Sequence, residues 1–101
     1  MKEQRIGIVN HYYDKIGVAA LALEGELAVG DIIHIKGHTT DFAQKIESIQ
    51  IENKNVENAK KGDDVAIKLK ETAREHDVVY KVVEAWFDDY LMNKNTVIGL
   101  S

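Results

Sequence analysis

The chain has 101 residues, of which 45% are hydrophobic and 30% are charged, a balance typical of one small globular domain and not of a disordered chain. It contains no cysteine, which excludes disulfides, thiolate zinc sites and cysteine nucleophiles. Thirteen Lys and Arg residues against 17 Asp and Glu residues give a net charge of −4, whereas proteins that bind nucleic acid usually carry a basic excess.

The N-terminal residues point to the compartment. Residues 1–5 are charged and run directly into a predicted strand, so we expect no signal peptide. No apolar run approaches the roughly 18 residues that a membrane span requires. Together with the absence of cysteine, these features predict a cytoplasmic protein that does not contact a membrane.

Apolar residues alternate with polar ones along most of the chain, a pattern that favours half-buried strands. Six strands are predicted, over residues 5–10, 18–23, 32–36, 42–52, 64–69 and 78–82. Within the fourth, Phe42 and Ile46 occupy even positions but Ile49 and Ile51 occupy odd ones. A β-bulge near Glu47 and Ser48 would restore the register.

A short phrase occurs twice. Gly30-Asp31 and Gly62-Asp63 each lead into alternating apolar residues. Glycine accepts a positive φ at a sharp turn, and the neighbouring Asp can accept backbone N–H groups and hold that turn. Two such turn-to-strand entries predict an all-β fold, a small six-stranded antiparallel Greek-key barrel.

The last twenty residues change character. Apolar side chains recur there at spacings of three and four, including Trp86, Phe87 and Tyr90, which predicts a short C-terminal helix. We therefore expect a barrel over residues 1–82 and a helical extension and tail over residues 83–101. Such a short helix must pack its apolar stripe on the barrel or on a partner, so Trp86, Phe87 and Tyr90 form a candidate partner surface.

Catalytic motifs are missing from the sequence. No phosphate-binding loop is present, so the chain alone is not expected to bind a nucleotide. His34 and His38 lie in predicted strand and loop and do not have helical zinc spacing, and Asp63 and Asp64 point to opposite faces of a strand. The prediction is a protein that is not an enzyme, with no cofactor and no metal.

Basic residues gather in the second half of the chain and form a candidate binding face: Lys54, Lys60, Lys61, Lys68, Lys70 and Arg74. Tyr12, Tyr13 and Phe42 could add stacking surface in adjoining loops. Because Glu71 and Glu75 interrupt the run, the alternative is an ordinary solvated face.

Three segments between residues 5 and 82 together resemble domain 2 of translation GTPases such as elongation factor Tu, and also small stand-alone translation elongation factor-like proteins. The segments are residues 25–35 (Gly-x-Leu-x-Val-Gly-Asp-x-Ile-x-Ile), 45–51 (Lys-Ile-x-Ser-Ile-Gln-Ile) and 59–67 (Ala-x-x-Gly-Asp-x-Val-x-Ile). The barrel type is also similar to the accessory barrel at the end of some collagenase-like peptidases. The resemblance to elongation factor Tu implies a binding role for Gln50, where that family has a glutamate that helps hold the terminal adenosine of aminoacyl-tRNA.

The resemblance implies a non-catalytic binding module that acts in or near translation, through RNA or a ribosomal or translation-factor partner. Its candidate binding residues are Gln50, Lys60, Lys61, Lys68, Lys70 and Arg74. The alternative is a protein-interaction accessory domain, for example of a collagenase-like peptidase system, with no RNA role. The oligomeric state is not predicted.

Overall fold

The computed structural model of the chain describes residues 2–83, and within them it contains strands and no helix. The ten strands are β1 (Lys2–Tyr13), β2 (Val18–Leu23), β3 (Leu27–Ala28), β4 (Ile32–Lys36), β5 (Asp41–Lys45), β6 (Ile49–Ile51), β7 (Lys54–Val56), β8 (Asn58–Ala59), β9 (Asp64–Lys68) and β10 (Val78–Val83). The prediction of an all-β fold is therefore confirmed for this part of the chain.

Eight of these strands form one antiparallel sheet in the order β5-β4-β10-β1-β2-β9-β6-β7, and β3 pairs with β8 in a second, two-stranded sheet. The prediction of a six-stranded barrel is wrong in the number of strands and in the closure of the sheet. The large sheet has two ends, β5 and β7, and its hydrogen-bonded ladder does not close on itself in the described residues. The additional strands are short segments of two or three residues, too brief to show a clear alternation in the sequence.

The predicted fourth strand is two strands. β5 ends at Lys45 and β6 begins at Ile49, and the two lie towards opposite ends of the large sheet. The chain leaves the sheet between them, because the backbone N–H and C=O of Ile46 bond to Asp31 and Gly30 at 2.8 Å. The change of parity therefore marks a crossing between strands and not the predicted β-bulge.

The core is a single cluster of aliphatic side chains from the inward positions of the strands. Its largest fully buried members are Ile6, Leu21, Leu27, Ile33, Ile35, Ile46, Ile49, Ile67, Val9 and Val79. Burying apolar surface contributes about 25 cal/mol per Å², so this cluster is the main source of stability. Phe42 belongs to it with only 8% of its surface exposed, and the suggested role of Phe42 in surface stacking is wrong.

The Gly-Asp phrase forms a turn, and residues 2–83 contain three turns with the same hydrogen bonds, the third with His76 in place of glycine. We call them the aspartate turns: Ala28–Asp31, Lys60–Asp63 and Arg74–Asp77. In each, the aspartate carboxylate accepts the N–H of the first residue at 2.8–3.0 Å, and the aspartate N–H donates to the carbonyl of the same residue at 3.0–3.1 Å. The third position has φ values of 100°, 94° and 76° at Gly30, Gly62 and His76.

Each aspartate turn holds one core residue of a distant segment. The N–H of the third turn residue donates to the carbonyl of that core residue, whose own N–H donates to the aspartate carbonyl. The three turns hold, in order, Ile46, Leu23 and Val9, through paired bonds of 2.8–3.0 Å. The turns therefore join separate parts of the chain as well as reversing its direction.

Gln44 on β5 bridges the end of the sheet to the segment that follows β9. Its side chain is 8% exposed; Nε2 donates to the carbonyl of Lys68 at 2.9 Å, and Oε1 accepts the N–H of Lys70 at 2.7 Å. The side-chain amide thus makes the pair of bonds that a neighbouring strand would make.

Two predictions concern the C-terminal part of the chain. The C-terminal helix, with Trp86, Phe87 and Tyr90, lies outside the described residues, and the division into units at residues 82 and 83 stays a prediction. Within residues 2–83, no helix long and apolar enough for a membrane span is found.

Candidate functional site

The outer side of β2 and β9 presents a patch of small side chains, which we call the alanine face: Val18, Ala20, Ala22 and Ala66. Their neighbours along the strands point inward, so these four are only half-buried. Ala20 lies opposite Ala66 in the antiparallel register, and Val18 lies opposite Lys68. Because directly paired residues share a face, the four form one continuous surface.

Larger side chains surround the alanine face. His11 and Tyr13 of β1 lie opposite Ala20 and Val18, and their rings meet edge to face with centroids 4.3 Å apart. Tyr13 is 48% exposed, although tyrosine has a large apolar ring. The His11 ring also contacts the Glu75 carboxylate at 2.8 Å. The patch thus combines an apolar centre with a border that includes tyrosine, a residue enriched in surfaces that bind other proteins.

Two of the predicted binding residues lie on this rim. Gln50 of β6 is opposite Ala66, Lys68 follows on β9, and both line a cavity of ≈ 230 Å³ beside Val18. The Gln50 amide donates to Asn55 Oδ1 at 3.1 Å. The structure therefore brings Gln50 and Lys68 together, a juxtaposition that their separation in the sequence does not reveal.

The other predicted basic residues do not join them. Lys60 and Lys61 belong to the second aspartate turn, and Lys60 lines a separate cavity with Lys81. Arg74 belongs to the third turn and lines a groove beside Thr72, while Lys70 Nζ lies 3.9 Å from the Glu47 carboxylate. Lys60, Arg74 and Lys70 thus lie beside different groups of residues, and none of them lines the cavity beside Gln50 and Lys68.

A second group of polar side chains lies on the outer side of β5, β4, β10 and β1. We call it the His34 cluster: Glu3, His34, Lys36, Asp41 and Tyr80. His34 Nδ1 contacts Glu3 Oε2 at 2.6 Å, and Nε2 contacts the Asp41 carboxylate. Lys36 Nζ lies 3.0 Å from Glu3 Oε1 and 5.3 Å from the centre of the Tyr80 ring.

The contacts in this cluster favour the charged forms of its members. Hydrogen bonds to Asp41 and then to Glu3 raise the pKa of His34 above its usual value. The His34 ring lowers the pKa of both carboxyls, assisted at Glu3 by Lys36. The hydrogen bond to Glu3 likewise raises the pKa of Lys36. The cluster is thus a set of ion pairs, and both nitrogens of the imidazole have carboxylate partners.

Sequence reasoning missed the His34 cluster, because it joins Glu3 of β1 and Tyr80 of β10, which are far apart along the chain, to residues of β4 and β5. The alanine face left a weak signal, since small residues alternate with leucines in the second strand. Among residues 2–83, no group of three or more His, Cys, Asp or Glu side chains is arranged to hold a metal ion. Asp63 serves its turn through a bond to the Lys60 N–H at 3.0 Å.

No protein-family model matches the chain. It is 44% identical over 80 residues to an uncharacterized protease of Methanocaldococcus jannaschii, a match that covers 78% of this chain and 20% of the protease. It is 43% identical over 72 residues to a collagenase of Porphyromonas gingivalis, which covers 69% of this chain and 20% of the collagenase. The chain therefore spans about one fifth of the length of these curated relatives.

The fold is similar to that of the C-terminal domain of a Geobacillus thermoleovorans protein described as a U32 peptidase. That crystal structure matches with a TM-score of 0.75 at 23% identity, over 79% of this chain and 93% of the solved domain. The selenomethionine variant of the same domain matches with a TM-score of 0.72 over 75% of this chain. At this level of identity the likeness concerns the fold.

These comparisons overturn the predicted relationship to translation factors. The relatives are a protease and a collagenase, and the matching solved structures are a domain of a U32 peptidase. The assignment to elongation factor domain 2, and the RNA-binding role that it implied, are therefore wrong. The chain is similar to a β-domain that stands at the C-terminus of a peptidase and to one fifth of longer proteases.

Proposed function

We propose that the protein is a non-catalytic accessory β-domain that associates with the catalytic region of a collagenase-like peptidase. The observation that carries this proposal is the partial match: 80 residues at 44% identity account for only 20% of the protease relative. A segment of that size is one domain beside a much larger remainder. The solved C-terminal domain, 93% of which matches this chain, supports the same division.

The alanine face is the surface that we assign to this association. Alanine side chains are short, so another protein can approach the backbone closely without displacing long side chains. The rim supplies Tyr13, Gln50 and Lys68, which can bury apolar area and donate hydrogen bonds. The partner that we assign is a folded protein surface, that of the catalytic region of a collagenase-like peptidase.

The described side chains favour a non-catalytic role. The His34 imidazole has carboxylates at both ring nitrogens, so in its protonated form neither nitrogen can accept a proton from a nucleophile. Asp63 and Asp77 are occupied by the N–H groups of their own turns. Neither arrangement places an activated nucleophile beside a base.

Binding in solution tests the proposal. The full chain is mixed with a collagenase-like peptidase from the same organism that lacks a β-domain of this kind, and the affinity is measured by isothermal titration calorimetry. We expect a one-to-one complex. Ala20→Arg places a long charged side chain in the centre of the alanine face and should weaken binding at least tenfold, which corresponds to about 1.4 kcal/mol.

A matched control comes from β5. Ala43 is an exposed alanine on an outer strand position that lies away from the alanine face, opposite His34, so Ala43→Arg should leave the affinity unchanged. Absence of any complex, or equal weakening by both variants, would contradict the assigned surface. Hydrolysis of gelatin by the chain alone, abolished by a substitution within it, would refute the non-catalytic role.

A further inference from the structure

We propose that His34 is a proton-dependent clamp that ties edge strand β5 to strand β1 across the two strands between them. Protonated, the imidazole holds Glu3 of β1 at one nitrogen and Asp41 of β5 at the other. Deprotonated, it can hold only one of them. The state of the β5 edge therefore depends on pH.

The geometry of the ring requires this behaviour. A carboxylate accepts hydrogen bonds but does not donate them, so each of the two contacts needs an N–H on the imidazole. The imidazolium has two N–H groups and the neutral ring has one, because its second nitrogen becomes an acceptor. Loss of one proton leaves a nitrogen lone pair facing a carboxylate oxygen, and that contact must open.

The charged groups around His34 decide which contact opens. On β4, Lys36 lies opposite Asp41 in the strand register, but its Nζ contacts Glu3 at 3.0 Å and keeps that carboxylate in place. On β1, Arg5 forms an ion pair with Glu24 at 2.9 Å. The other facing groups are Tyr80 of β10 and Lys45 of β5, which lies on the same side of its strand as Asp41.

Asp41 is the carboxylate that is free to leave. Its side chain is 79% exposed, compared with 29% for Glu3, so water can replace the imidazole at little cost. Asp41 is also the first residue of β5, a strand at the end of the large sheet. Release therefore frees the beginning of an edge strand.

The signs of the pKa shifts agree with this order. The pKa of His34 is raised from 6.5. Its contribution to the stability of the folded state is therefore fully present below pH 6.5 and is lost as the pH rises through the folded-state pKa. The pKa of Glu3 is lowered from 4.5 and that of Asp41 from 3.8, so their contributions are lost only on strong acidification. The clamp is complete at mildly acidic pH and opens on the alkaline side.

The test is an NMR titration of the full chain with ¹⁵N-labelled histidine. We expect both His34 nitrogens to carry protons at pH 6 and the midpoint of the titration to lie above 6.5. Asp41→Asn should lower that midpoint. Amide hydrogen exchange, corrected for the intrinsic effect of pH, should show protection over residues 41–45 falling at least threefold as the pH rises through the midpoint.

Two variants separate the clamp from a general effect of pH. His34→Gln should abolish the pH dependence of protection in residues 41–45, because glutamine does not titrate. His11→Gln removes an exposed histidine–carboxylate pair that uses a single ring nitrogen and should leave the dependence unchanged. A His34 midpoint at or below 6.5, or the same pH dependence in wild type and His34→Gln, would overturn the proposal.

Discussion

Replacing Gln44 tests whether a side-chain amide holds the end of the sheet to the segment after β9. Gln44→Leu keeps the approximate volume but removes both the bond to the Lys68 carbonyl at 2.9 Å and the bond from the Lys70 N–H at 2.7 Å. Since the side chain is 8% exposed, water has limited access to the two abandoned backbone groups.

The magnitude follows from these two bonds. A buried group that loses its partner costs about 1–3 kcal/mol, and partial access of water favours the lower half of that range. We therefore expect Gln44→Leu to lower the free energy of unfolding by about 2–4 kcal/mol. Gln44→Glu should retain the acceptor for Lys70 but lose the donor to Lys68, and its destabilisation should diminish on acidification as the introduced carboxyl regains a proton.

Urea unfolding followed by circular dichroism measures both effects. Gln50 provides the matched control, because it is an exposed glutamine on β6 whose amide contacts only the side chain of Asn55 among the described residues; Gln50→Leu should change stability by less than about 0.5 kcal/mol. Equal stabilities of the Gln44→Leu and Gln50→Leu proteins would refute the bridging role. So would a Gln44→Glu protein whose stability relative to wild type does not increase as the pH falls from 7 to 4.

Two further predictions concern the aspartate turns. His76→Gly should stabilise the protein by about 0.5–1 kcal/mol. It removes a left-handed penalty of about 1–2 kcal/mol, and the added entropy of the unfolded state offsets about 0.4–1 kcal/mol of that gain. Thermal unfolding measures the effect, and a lower melting temperature would contradict it. Gly37→Ala should destabilise by about 1–3 kcal/mol, because an added Cβ overlaps the buried Asp77 carboxylate. Gly25→Ala, whose Cβ would come no closer than 3.3 Å to Ile6, should cost less in the same unfolding assay; equal losses would show that the overlap is relieved.

The third aspartate turn shows why local sequence reasoning found two of the three. Gly30 and Gly62 mark their turns in the sequence, because glycine is the residue that most readily adopts a positive φ. His76 adopts a φ of 76° in a turn that is joined to distant Val9 by bonds of the His76 N–H and the Asp77 carbonyl. Those contacts come from the folded chain, and no local pattern announces them.

The candidate sites divide in the same way. Lys68 could be chosen from its strand position and Gln50 from the family resemblance, and both lie on the rim of the alanine face. The wider basic face predicted with them stays a prediction, because charge spacing along a chain does not report which turns and strands become neighbours. The family resemblance failed for a related reason: short barrel motifs report turn and strand geometry, which many functions share.

By itself, the sequence determined what depends on neighbouring residues: the all-β class, the inward positions of most core side chains, and the two glycine turns. Alternation and turn chemistry act over a few residues, so they are legible without the fold. Only the tertiary structure decided the strand order, the Gln44 bridge, the third turn and the His34 cluster. Each of these joins residues distant along the chain, and their proximity is set by how the whole sheet buries its core.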